Sequence, residues 1–299
     1  PFWVDGAYAG DIVRNAAYHK QHVNWAASLG LTRLLTKKLT VKVNSARTFR
    51  MMRPNELATN GIHHGAFRFE KGNLNLHPEI ALQNDLSVEW ERSRWLVTLS
   101  VYGNYFFNFI YLKPAAVFAK VEVNGEVYPY PEAGQLYEYV QGPTKHYGWE
   151  SQLEYRVTSA LSFIHSSEYA YVQNVESGEF IPFVPPMGFR HALDYRLTAS
   201  KKKRFPEDAH LRVESQLALS QERTARNEAA TPGYHLVHAG ISMEWYGGLR
   251  LSIQGANLMN ARYLNNMSRY RILNLPEPGR TVLLQMTYVF DGKMKSVHP

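Results

Sequence analysis

The sequence contains no cysteine. That excludes a disulfide framework, thiolate metal sites and cysteine nucleophiles. It also lacks any uncharged apolar run of about eighteen residues, and its greasiest stretch, Tyr105 to Leu112, is much too short for a membrane helix. The opening Pro1-Phe2-Trp3-Val4-Asp5 has neither a basic n-region nor an apolar h-region, a lack that a mature secreted protein shares. There is no phosphate-cradling glycine loop and no H-E-x-x-H pair, and Ser166-Ser167 beside His165 has no orienting acid at a useful spacing. Nothing points to an enzyme. The net charge of +7 is scattered, and its one dense cluster, Lys201-Lys202-Lys203-Arg204, reads as a solvated turn between strands, not as a nucleic-acid patch.

What the sequence does contain is period-two alternation, many times over. Val282, Leu284, Met286 and Tyr288 oppose Thr281, Leu283, Gln285 and Thr287. Leu249, Leu251 and Ile253 oppose Arg250, Ser252 and Gln254, and Val237, Ala239, Ile241, Met243 and Trp245 oppose His238, Ser242 and Glu244. The same holds for Leu211, Val213 and Leu217 against Arg212, Glu214 and Gln216, for Trp149, Leu153 and Tyr155 against Glu150, Gln152 and Glu154, and for Leu39, Val41 and Val43 against Thr40, Lys42 and Asn44. A soluble β-sandwich also alternates. Here the polar positions carry full charges, which suits a wet lumen, and the connections alternate between short and long. Short ones lie near residues 36–37, 91–93, 158–159 and 246–247, and long ones near 50–78, 113–135, 174–186, 221–232 and 259–278. Short periplasmic turns and long outer loops are the habit of outer-membrane barrels. The reading is all-β: a transmembrane antiparallel β-barrel in which Leu251, Ile253, Leu284 and Met286 face lipid while Gln254, Gln285 and Glu154 face the lumen.

The alternation gives about eleven strands between Val23 and Phe290. Bacterial single-chain barrels have an even number, and an unpaired edge cannot face lipid. The expectation is that another strand-bearing segment precedes residue 1 or that a second chain supplies it.

Several segments resemble the TonB-dependent outer-membrane receptors. Ala46-Arg47-Thr48-Phe49-Arg50 through Pro54-Asn55-Glu56-Leu57 is similar to that family's "A-R-x-F-R-x-P…N-E-L" strand end. Asn60-Gly61-Ile62-His63-His64, Glu70-Lys71-Gly72-Asn73 and Pro78-Glu79 follow in the family's order. Later, Thr231-Pro232-Gly233-Tyr234, Asn257-Leu258-Met259-Asn260-Ala261-Arg262-Tyr263 and Pro278-Gly279-Arg280 resemble its late boxes. Met51-Met52 stands where many members have Ala-Pro, and Leu74 where many have Pro. The resemblance covers almost the whole chain. It implies that residues 1–290 are the C-terminal half of a 22-strand barrel, with 291–299 a C-terminal extension, and that the plug and the TonB-contact segment are absent from this chain.

The implied function is TonB-dependent uptake of a ferric siderophore, haem or zinc, or a similarly scarce nutrient, as a transported ligand and not a bound cofactor. The implied surroundings are outer-membrane lipid and lipopolysaccharide, the missing plug and barrel half, and the TonB complex through that plug. The alternative is a structural or docking barrel of an outer-membrane assembly that does not transport. For ligand contact the candidates are His63, His64, Arg50, Arg53 and Tyr130. The two histidines could ligate a metal or haem iron. Equally, such a pair can simply order its loop, and adjacent residues on an extended segment cannot both point the same way. Arg50 and Arg53 could attract an anionic chelate or line the mouth. Tyr128, Tyr130 and Tyr137 could stack on a planar ligand, or form an interface belt or loop packing.

Overall fold

A computed structural model describes residues 2–4, 8–9, 12–13, 18–118, 121–123, 126–128, 135–197, 206–245 and 248–289. Eleven long strands form one meander, each paired antiparallel with the next. They are β1 (Ala27–Thr36), β2 (Leu39–Arg50), β3 (Glu79–Arg92), β4 (Trp95–Phe118), β5 (Gln135–Arg156), β6 (Leu161–Asn174), β7 (Gly188–Leu197), β8 (Asp208–Ala218), β9 (Tyr234–Trp245), β10 (Leu249–Ala256) and β11 (Thr281–Tyr288). The strand count agrees with the alternation. Two short strands, Asn60–His63 and Arg68–Lys71, bring the sheet to thirteen; they pair with each other, and the second runs parallel to the start of β5. Three two-stranded ribbons, Phe2–Val4 with Tyr18–Lys20, Tyr8–Ala9 with Ile12–Val13, and Val121–Val123 with Glu126–Tyr128, stand apart from it. The basic cluster 201–204, Phe290 and the extension lie outside the described residues.

In an antiparallel ladder, directly opposed residues share a face, so the register decides which side chains look outward. Leu251 opposes Met286 and Ile253 opposes Leu284. Through Ile241, Leu211 and Tyr195 the same face continues to Phe163, Leu153, Val97, Val88 and Val41. It is largely apolar from β1 to β11, interrupted by Ser45 and Asn84 on β2 and β3 and by Ser151, His165, Ser167, His191 and Ser215 on β5 to β8. Near the inner ends of the strands it is edged by Trp90, Trp95, Tyr155, Tyr195, Trp245 and Tyr288, and towards the long loops by Tyr105, Tyr147, Trp149, Tyr169 and Tyr171. From Trp95 to Tyr105 is ten residues, about 34 Å of strand; a tilt of about 40° turns that into about 26 Å, the height of an outer-membrane apolar band between aromatic girdles.

The opposite face carries the charges. Lys42 bonds Glu89 at 2.6 Å, Arg212 bonds Glu214 at 2.9 Å, and Arg250 bonds Glu244 at 2.9 Å. Asp194, Asp208, His210 and Arg196 form a further cluster there. A 420 Å³ hollow lined by Asp194, His210, Arg212, Glu214, Ser242 and Gln254 lies on this side, so the charged face is the concave one. The assignment of Gln254, Gln285 and Glu154 to the lumen agrees with the register; Leu283 is an apolar member of the same face, opposite Gln254. The two outermost strands of the sheet, β1 and β11, are paired on one side only, and both are exposed throughout their length.

One feature of β4 breaks the alternation. Phe106 opposes Thr144, but Phe109 opposes Gly142, so three residues span two. Such a bulge inserts one residue and reverses the side-chain alternation beyond it. There Asn108 takes over the ladder: its Oδ1 accepts from Ile80 N–H at 2.8 Å and its Nδ2 donates to Pro78 O at 2.6 Å, closing the end of β3. The greasy stretch from Tyr105 to Leu112 is thus the point where the β4–β5 hairpin leaves the band and becomes a support for the long loops.

Candidate ligand site in the long loops

All five long connections lie at one end of the sheet. The first, residues 51–78, folds back on the extended β4–β5 hairpin. Met52, Leu57, Leu76 and Ile110 form a buried cluster with Ala58, Leu74 and Tyr139 packed against it. Met52 and Leu74, the two departures from the receptor pattern, therefore enter the same small core. Gly72 is needed for close approach: a Cβ there would lie 2.5 Å from Leu57 O. Its N–H donates to Thr59 O at 2.6 Å.

Arg50 sits at the last position of β2. Its Nε donates to Glu79 and its Nη1 to Glu56 at 3.0 Å, and both carboxylates are almost wholly buried. Glu79 also accepts from Ile110 N–H at 2.7 Å, and Glu56 from Arg53 N–H at 2.7 Å at the start of the short helix Pro54–Ala58. Each acid is thereby compensated by a cation and a backbone donor, as burial requires. The arrangement uses Arg50 to fix the base of the loop. Arg53 is exposed and has no acidic partner among the described residues.

His63 ends the short strand and His64 begins a single 3₁₀ turn, His64–Ala66. Both are exposed, and among the described residues neither imidazole has a hydrogen-bond partner. The turn leans on the loop between β10 and β11: the Phe67 and Tyr270 rings are 5.7 Å apart. Arg269 lies close by, with Nη1 3.8 Å from where a Gly65 Cβ would stand. The fold thus brings His63 and His64 together with Arg269 and Tyr270, about two hundred residues away in sequence.

Tyr137 does not face the mouth. It is buried, stacked on Phe183 at 6.0 Å, with the Arg68 guanidinium 4.7 Å from its ring centre, so its part is loop packing. Tyr130 and the Tyr128 side chain lie outside the described residues.

Sequence reasoning missed two groups. The first is a buried tie between three loops. Arg271 bonds Glu228 at 2.8 Å with both side chains almost wholly buried, Glu228 also accepts from Phe183 N–H at 3.1 Å, and Asn266 donates to Val184 O at 2.8 Å. Its partners lie tens of residues apart, so no spacing could signal it. The second is His22 with His77, ring centres 6.4 Å apart, where His22 Nε2 is buried without a partner. Burial, then the charges of Lys20 and His77, push the His22 imidazole below its usual range, towards the neutral form that binds metals.

Once these pairs are made, Arg53, Arg223, Arg226, Arg262, Arg269 and Arg280 have no acidic partner among the described residues, and Glu176, Glu222 and Glu277 no basic one; the connection 113–135 adds Lys120, Glu122, Glu126 and Glu132, so the formal charges of the long loops nearly balance.

A family model described as "TonB dependent receptor-like, beta-barrel" matches residues 4–258. Among solved structures, the copper transporter OprC superposes with a TM-score of 0.70 at 16% identity, covering 87% of this chain and 38% of that one. The ferric enterobactin receptor PfeA from Pseudomonas aeruginosa gives 0.63 at 18%, covering 89% and 40%. The siderophore receptor PirA from Acinetobacter baumannii gives 0.62 at 15%, covering 89% and 41%. This chain therefore spans about two fifths of the length of those proteins. Identities this low carry the fold and nothing of the ligand.

Proposed function

The chain belongs to the TonB-dependent receptor β-barrel family of the outer membrane, and from that premise we propose that it forms the C-terminal wall and outer mouth of a receptor for a negatively charged metal complex, with a ferric siderophore the first candidate and haem and zinc after it. The observation that carries this reading is a set of arginines in the outer loops, Arg53 and Arg269 among them, that have no acidic partner among the described residues, while Glu56, Glu79 and Glu228 are held in structural pairs. Unpaired guanidinium groups from two loops draw in an oppositely charged ligand and hold it through bidentate contacts. The siderophore and copper receptors of like fold are consistent with metal cargo.

Ligand would meet Arg53 and Arg269 from two loops, with Tyr270 and the His63-His64 turn beside them. A fully chelated iron leaves no open position for an imidazole, so charge and shape would decide. Import would then depend on the family's plug and the TonB complex, which pulls on that plug.

Titration of the protein with a ferric catecholate, haem and zinc tests this. Ferric-chelate binding that weakens with salt, and weakens further in R53A/R269A, is the expected result. Binding of none of the three would favour a docking barrel without transport.

A further inference from the structure

The outward face of the wall carries no acid. From β2 to β11 its membrane-facing positions, fixed by the register, include no Asp or Glu. Every Asp and Glu of those strands, from Glu79 to Glu244, takes the opposite parity. A cation on the outward face therefore finds no carboxylate beside it there.

Two cations meet that face at its outer end. Lys145 opposes Tyr105, and ten residues inward on the same strand Tyr155 opposes Trp95. Lys145 thus stands at the outer limit of the apolar band of about 26 Å. Its Nζ is 5.8 Å from the centre of the Tyr171 ring. Arg223 arrives from the loop between β8 and β9, with its Cζ 5.0 Å from the centre of the Tyr169 ring. Tyr169 and Tyr171 are two residues apart on β6 and share the outward face. Each is stacked on a ring of β5: Trp149 with Tyr169 at 4.6 Å, and Tyr147 with Tyr171 at 4.5 Å. The result is a block of four rings with one cation on each tyrosine. Neither cation has an acidic partner among the described residues. A ring face holds a cation in place without neutralising it.

We propose that Lys145 and Arg223, on the block of Tyr147, Trp149, Tyr169 and Tyr171, form a binding site for the phosphate groups of lipopolysaccharide in the outer leaflet. An aromatic belt marks the depth at which the wall meets the lipid headgroups, and a lipid phosphate there supplies the counter-charge that the face itself lacks. Two cations on one block ask for a headgroup with more than one negative charge, which a zwitterionic phospholipid does not bring. Tyr147, 43% exposed beside them, adds a flat surface on which a sugar ring can pack. Lipopolysaccharide joins sugar and phosphate in one headgroup. The inference concerns the membrane side of the wall and stands apart from the choice of cargo.

The test is the binding of lipopolysaccharide by the protein in phosphatidylcholine nanodiscs, for the parent, K145Q/R223Q and R226Q. Arg226 is exposed in the same loop, three residues beyond Arg223. The proposal expects roughly tenfold weaker binding in K145Q/R223Q, running as a heat-modifiable barrel, and parent-like binding in R226Q. The parent should lose affinity to a like extent when the lipopolysaccharide is dephosphorylated, a result that needs no variant to fold. Phosphatidylglycerol at the same mole fraction should compete poorly. Equal binding by the parent and a folded K145Q/R223Q, or an equal loss in R226Q, would overturn the proposal. So would undiminished binding of the dephosphorylated lipid, or competition by phosphatidylglycerol as strong as that by lipopolysaccharide itself.

Discussion

The base and the tip of the loop between β2 and β3 are built from opposite kinds of residue. At the base, Arg50, Glu56 and Glu79 satisfy one another, Met52 and Leu57 are buried, and Gly72 lies where no side chain fits. At the tip, His63 and His64 are exposed and unpartnered and lean towards Arg269 and Tyr270. The base contains most of the residues by which the sequence resembles its family. Those residues are spent on holding the loop in place, which is why they reveal the family and are silent about the ligand.

The sharpest way to break this contrast is at the base. Replacing Arg50 by Ala leaves two buried carboxylates without their cation and should cost about 3 kcal/mol of local stability. That corresponds to roughly hundredfold faster hydrogen exchange at the Gly72 and Leu57 amides. An unchanged exchange rate would mean that Arg50 is free to serve a ligand after all. M52A should cost about 2–3 kcal/mol through the cavity it leaves among Leu57, Leu76 and Ile110, seen by the same exchange measurement. On the barrel wall, L284K should cost a further measure of the whole fold, about 2 kcal/mol in unfolding from lipid, while Q285K, facing the lumen, should cost much less. At the tip, H63A/H64A should change stability by less than about 0.5 kcal/mol, because neither ring is buried or bonded. If the cargo were haem or zinc, that same variant would lose affinity in a titration with either ligand. His22, already pushed towards the neutral form, would keep its ligating capacity to lower pH.

The barrel was legible in the sequence because each of its strands is amphipathic over a whole membrane crossing. Leu251, Ile253, Leu284 and Met286 needed only period two to be assigned to lipid, and the register agrees. The alternation of short and long connections was visible for the same reason. Legibility ended where alternation ends, at the bulge between Phe106 and Phe109, beyond which both sides of the β4–β5 hairpin are packed by loops. Arg50 looked like an anion contact because sequence shows a charge at a strand end but not the two acids, 6 and 29 residues on, that bind it. Of the readings open for Tyr137, loop packing is the one the structure shows, with the ring buried and stacked on Phe183. The pairing of Arg271 with Glu228 joins positions 43 apart, and the approach of Arg269 to Gly65 is longer still in range. Such contacts depend on how loops fold over the mouth, which local pattern does not encode.

The most direct test of the account is a titration of ferric-chelate binding to the protein in its outer membrane, at low and high salt, for the parent, R53A/R269A and H63A/H64A. The account predicts salt-sensitive binding by the parent, a loss of about tenfold in R53A/R269A together with a flatter salt dependence, and near-parent affinity in H63A/H64A. Equal affinity of the parent and R53A/R269A at both salt concentrations would contradict it.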